Sequence, residues 1–121
     1  MAEWPYSPRH AWWGYIKHMI RKYKQRQHDT DLYGTELREV EAVRRAIERV
    51  QDMPDGNVRL SLVDLVFWRR THTIQGAAMA LHISERTANR MHSHFIRTVA
   101  AEFGLDEGKR RPNTQKSKDD R

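Results

Sequence analysis

The chain has 121 residues, 22 of them Lys or Arg against 16 Asp or Glu, for a net charge of +6. That length suits one compact domain with a tail, and the basic excess favours an anionic partner, nucleic acid ahead of a membrane surface. The absence of cysteine excludes disulfides, thiol catalysis and cysteine-ligated zinc, and no apolar run approaches the roughly 20 residues of a membrane span.

Ser7-Pro8 reads as a helix start, with Ser as N-cap and Pro at the first helical position. Trp12, Trp13, Ile16, Met19, Ile20 and Tyr23 then form an apolar stripe at helical spacing, with Lys17, Arg21 and Lys24 together on the opposite side. The polar stretch from Gln25 to Tyr33 reads as a loop ahead of Gly34-Thr35. A second helix is expected from about Glu36 to Asp52, turning Leu37, Val40, Val43, Ile47 and Val50 inward, with Glu41 and Arg45 in the favourable order four apart. Met53-Pro-Asp-Gly-Asn57 is a stop and turn. A third helix is expected from about Ser61 to Thr71, with Asp64 completing a cap-like pair with Ser61 and with Leu62, Leu65, Val66 and Trp68 as its apolar residues. Two more helices follow, the last ending at Gly104. From Asp106 onward apolar residues stop and disorder is expected. The expected fold is all-α, about five helices, divided into an N-terminal two-helix segment over 1–58, a helix-turn-helix unit over 59–105 and a basic tail over 106–121.

Charge is unevenly placed. Residues 1–30 carry net +4 and residues 31–58 net −3, with every later segment positive. The middle segment is therefore not expected to touch a polyanion.

The stretch Gln75 to Met91 has the pattern of a helix-turn-helix. Ala78 supplies the small residue where two helices cross, Leu81-His82 the tight turn, and Ser84 an N-cap for the next helix. Ala88, Met91 and Phe95 repeat at three and four and form the buried stripe. Arg86, Asn89, Arg90 and Ser93 are left pointing outward, as residue types that reach base edges or phosphates in a major groove. Asn to adenine and Arg to guanine are the geometrically favoured pairings; the competing reading is an ordinary solvated helix face. Glu85 either accepts from cytosine or serves the helix dipole, and Thr87 either contacts a phosphate or back-bonds. His94 is expected as a polar contact on the same side. Arg69 and Arg70, at the end of the helix leading into the motif, and Arg97, further along the last helix, complete the candidate DNA-binding set.

Other constellations carry less. His92 and His94 are two apart and point in different directions on a helix, so no metal site and no cofactor are expected. Trp12-Trp13 and Trp68 serve either a core or stacking on single-stranded nucleic acid, and two adjacent Trp cannot both face one core. Lys17, Arg21 and Lys24 bind phosphate or form a solvated face. The tail, with Lys109-Arg-Arg and Lys116-Ser-Lys118, either binds the DNA backbone or is a solubilising end. No nucleophile with an adjacent base, Gly-rich phosphate loop or paired carboxylates is present, so no enzyme is expected.

The run Phe67-Trp-Arg-Arg-Thr-His-Thr-Ile74, then Ala77-Ala78, Leu81, Ile83-Ser84, Thr87, Arg90 and Phe103-Gly-Leu105, resembles phage late-transcription activators of the RinA/ArpU type. Their C-terminal half is similar to the promoter-reading helix-turn-helix of RNA polymerase sigma factors. The resemblance covers about a third of the chain. Gly76 departs from it where a helix former is expected, and His82 stands at a turn position often held by Gly. The resemblance implies a sequence-specific transcriptional regulator of double-stranded DNA, an activator encoded by a phage or prophage and working in the cytoplasm at the host nucleoid. RNA polymerase and a second copy of the chain are the further partners it implies, since one helix-turn-helix reads few base pairs. Two alternatives stand beside it: a small-terminase-like protein recognising a DNA-packaging site within a ring, and a module gripping RNA polymerase through its aromatic N-terminal helix.

Overall fold

A computed structural model describes residues 11–105. The expected helix start at Ser7-Pro8 and the disorder expected of the tail lie outside the described residues. Five helices follow one another: α1 (Trp13–Arg26), α2 (Thr35–Gln51), α3 (Gly56–Val63), α4 (Ile74–Ala80) and α5 (Glu85–Phe103). Among the described residues there is no strand, and the fold is all-α as expected.

The stripe on α1 is buried at Ile16, Met19, Ile20 and Tyr23, while Trp12 and Trp13 are only half-buried at the margin of the core. On α2 the buried positions are Ala42, Val43, Ala46 and Val50, flanked by half-buried Val40 and Ile47. Leu37 was expected inside and is 41% exposed; Glu39 is buried in its place. Both Glu39 oxygens are met from α1: the Tyr15 hydroxyl donates to Oε2, and Arg26 Nη1 lies 2.5 Å from Oε1. A carboxylate can be buried when charge-assisted hydrogen bonds replace its water. Burial and the neighbouring Glu39 push the Tyr15 phenol up to about 12.

The third helix begins earlier than its sequence suggests, at Gly56, inside the segment read as a turn. Ser61 lies mid-helix rather than at a cap, and Asp55, immediately before the helix, pairs with Arg59 at 2.8 Å. Gly56 sits against the end of α2, where the carbonyl oxygens of Val50 and Gln51 lie 2.5 and 2.8 Å from the place a Cβ would occupy. No other residue fits there without displacing backbone. After Val63 the chain widens into one π-helical turn, Asp64–Trp68, closed by the Arg69 N–H donating to the Asp64 carbonyl at 2.7 Å. This turn buries Phe67 and brings the Trp68 indole N–H within 2.7 Å of the Ile20 carbonyl, tying it to α1.

Two apolar clusters result. The larger joins α1, α2, Val63 and Phe67 to Phe95, Ile96, Val99 and Ala100. The smaller consists of Leu62, Ala77, Ala78, Ala88 and Met91, ringed by Val58, Leu65, Val66, Ile74, Leu81 and Ile83. α5 runs through both, with its N-terminal half in the smaller cluster and its C-terminal half in the larger. The division expected at 58/59 falls inside α3.

Candidate nucleic-acid interface

α4 and α5 are joined by a tight turn whose geometry is set residue by residue. Thr73 caps α4, its hydroxyl accepting from the Gly76 N–H at 3.0 Å. The helix ends as the Leu81 N–H bonds the Ala77 carbonyl at 2.9 Å, and His82 then adopts a left-handed conformation with φ 61°. That conformation is less costly for His, Asn and Asp than for branched residues, and it lets the Ile83 N–H reach back to the Ala78 carbonyl at 3.0 Å. Ser84 is extended and caps α5, accepting from the Thr87 N–H at 3.0 Å and donating to the Thr87 hydroxyl at 2.9 Å. Ala78, Ala88 and Met91 are buried between the two helices, the small side chains allowing close approach. At its far end α5 closes on Gly104, φ 98°, with the Leu105 N–H donating to the Ala100 carbonyl at 2.8 Å.

Successive residues advance about 100° around a helix, so Arg86, Arg90, Ser93 and Arg97 lie along one line of α5. Arg86 and Arg90 are exposed, and no carboxylate among the described residues pairs with either. Ser93 is half-buried on the same line. Arg97 is not part of an open surface: it is half-buried, with its guanidinium 5.9 Å from the Trp13 ring, because α1 covers this end of α5. Asn89 is half-buried and its amide nitrogen donates to the Glu85 carbonyl at 3.1 Å, so a two-pronged contact to adenine requires that bond to be released. Glu85 is exposed in the first turn, where a negative charge suits the helix dipole.

The other candidates sit around this line. The Thr87 hydroxyl is taken up by Ser84. His94 lies to one side, its Nδ1 accepting from Arg59 at 3.2 Å; burial and that guanidinium lower its pKa and favour the neutral ring. Arg69 is exposed but pairs with Asp64 at 2.9 Å. Arg70 is exposed and left-handed, φ 56°, where the π-helical turn ends and the Thr71 N–H bonds the Leu65 carbonyl at 3.1 Å.

His92 does not face outward. Its ring stacks on Phe67 with centroids 5.0 Å apart and planes 3° from parallel. Burial first, then the nearby Lys17 and Arg21, push it down to about 4. Those two cations belong to α1, so the basic side of that helix lies against the flank of α5. Sequence reasoning left Lys17 and Arg21 undecided and did not identify the Thr73 cap; the 17, 21, 24 spacing carried the first signal, and Thr73 ahead of a short helix the second. Among the described residues no three His, Asp or Glu side chains gather as a metal-binding group. No protein-family model, curated protein or solved structure matches this chain.

Proposed function

We propose that the protein is a sequence-specific transcriptional regulator that lays the N-terminal half of α5 in the major groove of double-stranded DNA. The observation that carries this reading is the pair Arg86 and Arg90, exposed one turn apart and paired with no carboxylate among the described residues, on a helix whose start is fixed by Ser84 and whose opposite face is buried. Arginine in this setting reads guanine through two parallel hydrogen bonds. In this reading Arg69, Arg70 and Ser93 contact the phosphates that border the groove, and such contacts supply most of the affinity. The resemblance to phage late-transcription activators makes an activator of phage or prophage origin the form proposed, with RNA polymerase and a second copy of the chain as partners. The reading invokes no cofactor and no bond-making residue.

The test is recovery and sequencing of genomic DNA fragments bound by the protein at near-physiological salt, alongside an Arg86→Ala, Asn89→Ala control. A shared motif upstream of a gene block, lost in the control, is expected. On the recovered site, Arg90→Ala should weaken binding by about 1–3 kcal/mol in a titration. Fragments bound evenly, with the control unchanged, would refute sequence-specific reading by α5.

A further inference from the structure

We infer that α1 is a second DNA-contacting element, with Lys17 and Arg21 gripping the phosphates that border the groove occupied by α5, without regard to sequence. The inference rests on the DNA-binding reading above and extends it to a helix outside the α4–α5 unit.

Four of the five arginines on α2 and α3 are ion-paired: Arg44 with Glu41 and Glu48 at 3.9 and 3.1 Å, Arg45 with Glu41 at 3.2 Å, Arg49 with Glu102 at 2.7 Å and Arg59 with Asp55 at 2.8 Å, while the fifth, Arg38, lies 4.7 Å from the centre of the Phe103 ring. That is how this chain builds a solvated helix face, with both signs interleaved. On the outer side of α1 the pattern breaks. Among the described residues no carboxylate pairs with Lys17, Arg21 or Lys24. Lys17 and Arg21, one turn apart, meet as like charges instead, and burial together with Arg21 lowers the Lys17 pKa. Like charges held together without a counter-charge repel, and a polyanion relieves that repulsion.

The position of these side chains selects the partner. α1 runs along the C-terminal half of α5, with Tyr15 against Phe103 at 5.8 Å and Trp13 over Arg97 at 5.9 Å. Lys17 and Arg21 reach His92, which directly precedes Ser93 of the outward line. The Lys24 ammonium lies 4.8 Å from the centre of the Trp68 ring, next in sequence to Arg69 and Arg70. The basic side of α1 thus begins where α1 closes off the open line of α5, and it continues to the arginines after the π-helical turn. A duplex seated on Arg86 and Arg90 has its flanking phosphate strand beside this surface. An acidic protein partner would have no reason to share an edge with the reading helix.

The experiment uses the full chain and the Lys17→Gln, Arg21→Gln double variant. Binding to the recovered site and to an unrelated duplex of equal length is measured between 50 and 200 mM salt. Two lost phosphate contacts should reduce the slope of log affinity against log salt by about 1.8, so the wild type loses about 12-fold more affinity than the variant over that range. Both duplexes should weaken in parallel, and the Lys17→Arg, Arg21→Lys exchange should keep the wild-type slope, which separates lost charge from a damaged fold. Wild-type slope and affinity in the Gln variant, while Arg86→Ala with Arg90→Ala still weakens binding, would overturn the role of α1 and leave that of α5 standing. A selective loss of preference for the site would overturn the sequence-independent part of the inference. Failure of the wild type to bind either duplex would remove the DNA-binding reading itself, and this one with it.

Discussion

His92 makes the stability of this protein depend on pH. Held against Phe67 and facing Lys17 and Arg21, its ring has a pKa of about 4 when folded, against an ordinary value of 6.5. The unfolded chain therefore takes up a proton that the folded chain refuses, and stability is complete above pH 6.5 and drains away as pH falls toward 4. With 1.36 kcal/mol per unit, the loss attributable to this one ring is about 1 kcal/mol between pH 7.5 and 5.5, and about 3 kcal/mol once pH falls below 4. Urea unfolding across this range of pH, for wild type and His92→Gln, isolates the effect because every other titrating group is common to both. The difference in unfolding free energy between the two proteins should change by those amounts as pH is lowered, with the wild type losing more. An imidazole resonance titration gives the folded pKa directly. A difference that stays flat from pH 7.5 to 4.5, or a ring that titrates near 6.5, would refute the claim that burial and the α1 cations hold it neutral.

Two further substitutions test the packing and the cap. Gly56→Ala replaces glycine by the best helix former, a change ordinarily favourable by about 1 kcal/mol, yet the Val50 and Gln51 carbonyls leave its Cβ no room. It should instead destabilise by about 1–3 kcal/mol, and a raised thermal midpoint would show that α3 does not meet α2 so closely. Ser84→Ala removes the acceptor for the Thr87 N–H and should cost about 1 kcal/mol in urea unfolding, with Ser84→Asp restoring most of it. Equal loss in the Asp variant would mean that the hydroxyl matters for something other than capping.

The parts of the fold that follow from short-range rules were legible in the chain. The 16, 19, 20, 23 stripe, the Ser84 cap, the His82 turn, the Gly104 end and the burial of Ala78, Ala88, Met91 and Phe95 all depend on neighbours within a few residues. The exceptions depend on distant ones. Leu37 has the spacing of a core residue, but Tyr15 and Arg26 reach across from α1 and make Glu39, two residues on, the buried position instead. Ser61 and Asp64 looked like a cap pair, but the space against the end of α2 suits a glycine, so α3 starts at Gly56. The π-helical turn has no sequence signature of its own; it places Trp68 at the Ile20 carbonyl. Within the candidate site, the outward line of α5 could be read from spacing as far as Ser93. Its termination before Arg97 could not, because the covering residue, Trp13, lies at the other end of the chain.

The passage of α5 through both apolar clusters makes it a single lever rather than the last piece of a detachable module. Ala88 and Met91 at one end, and Phe95 through Ala100 at the other, fix one rigid rod from two independent grips. On its own, the segment from residue 59 onward would lack the grip of α1 and α2 and expose Phe95, Ile96 and Val99, an apolar strip that promotes self-association. Melting of α1 and α2 would therefore remove one of the two grips on the helix proposed to read DNA.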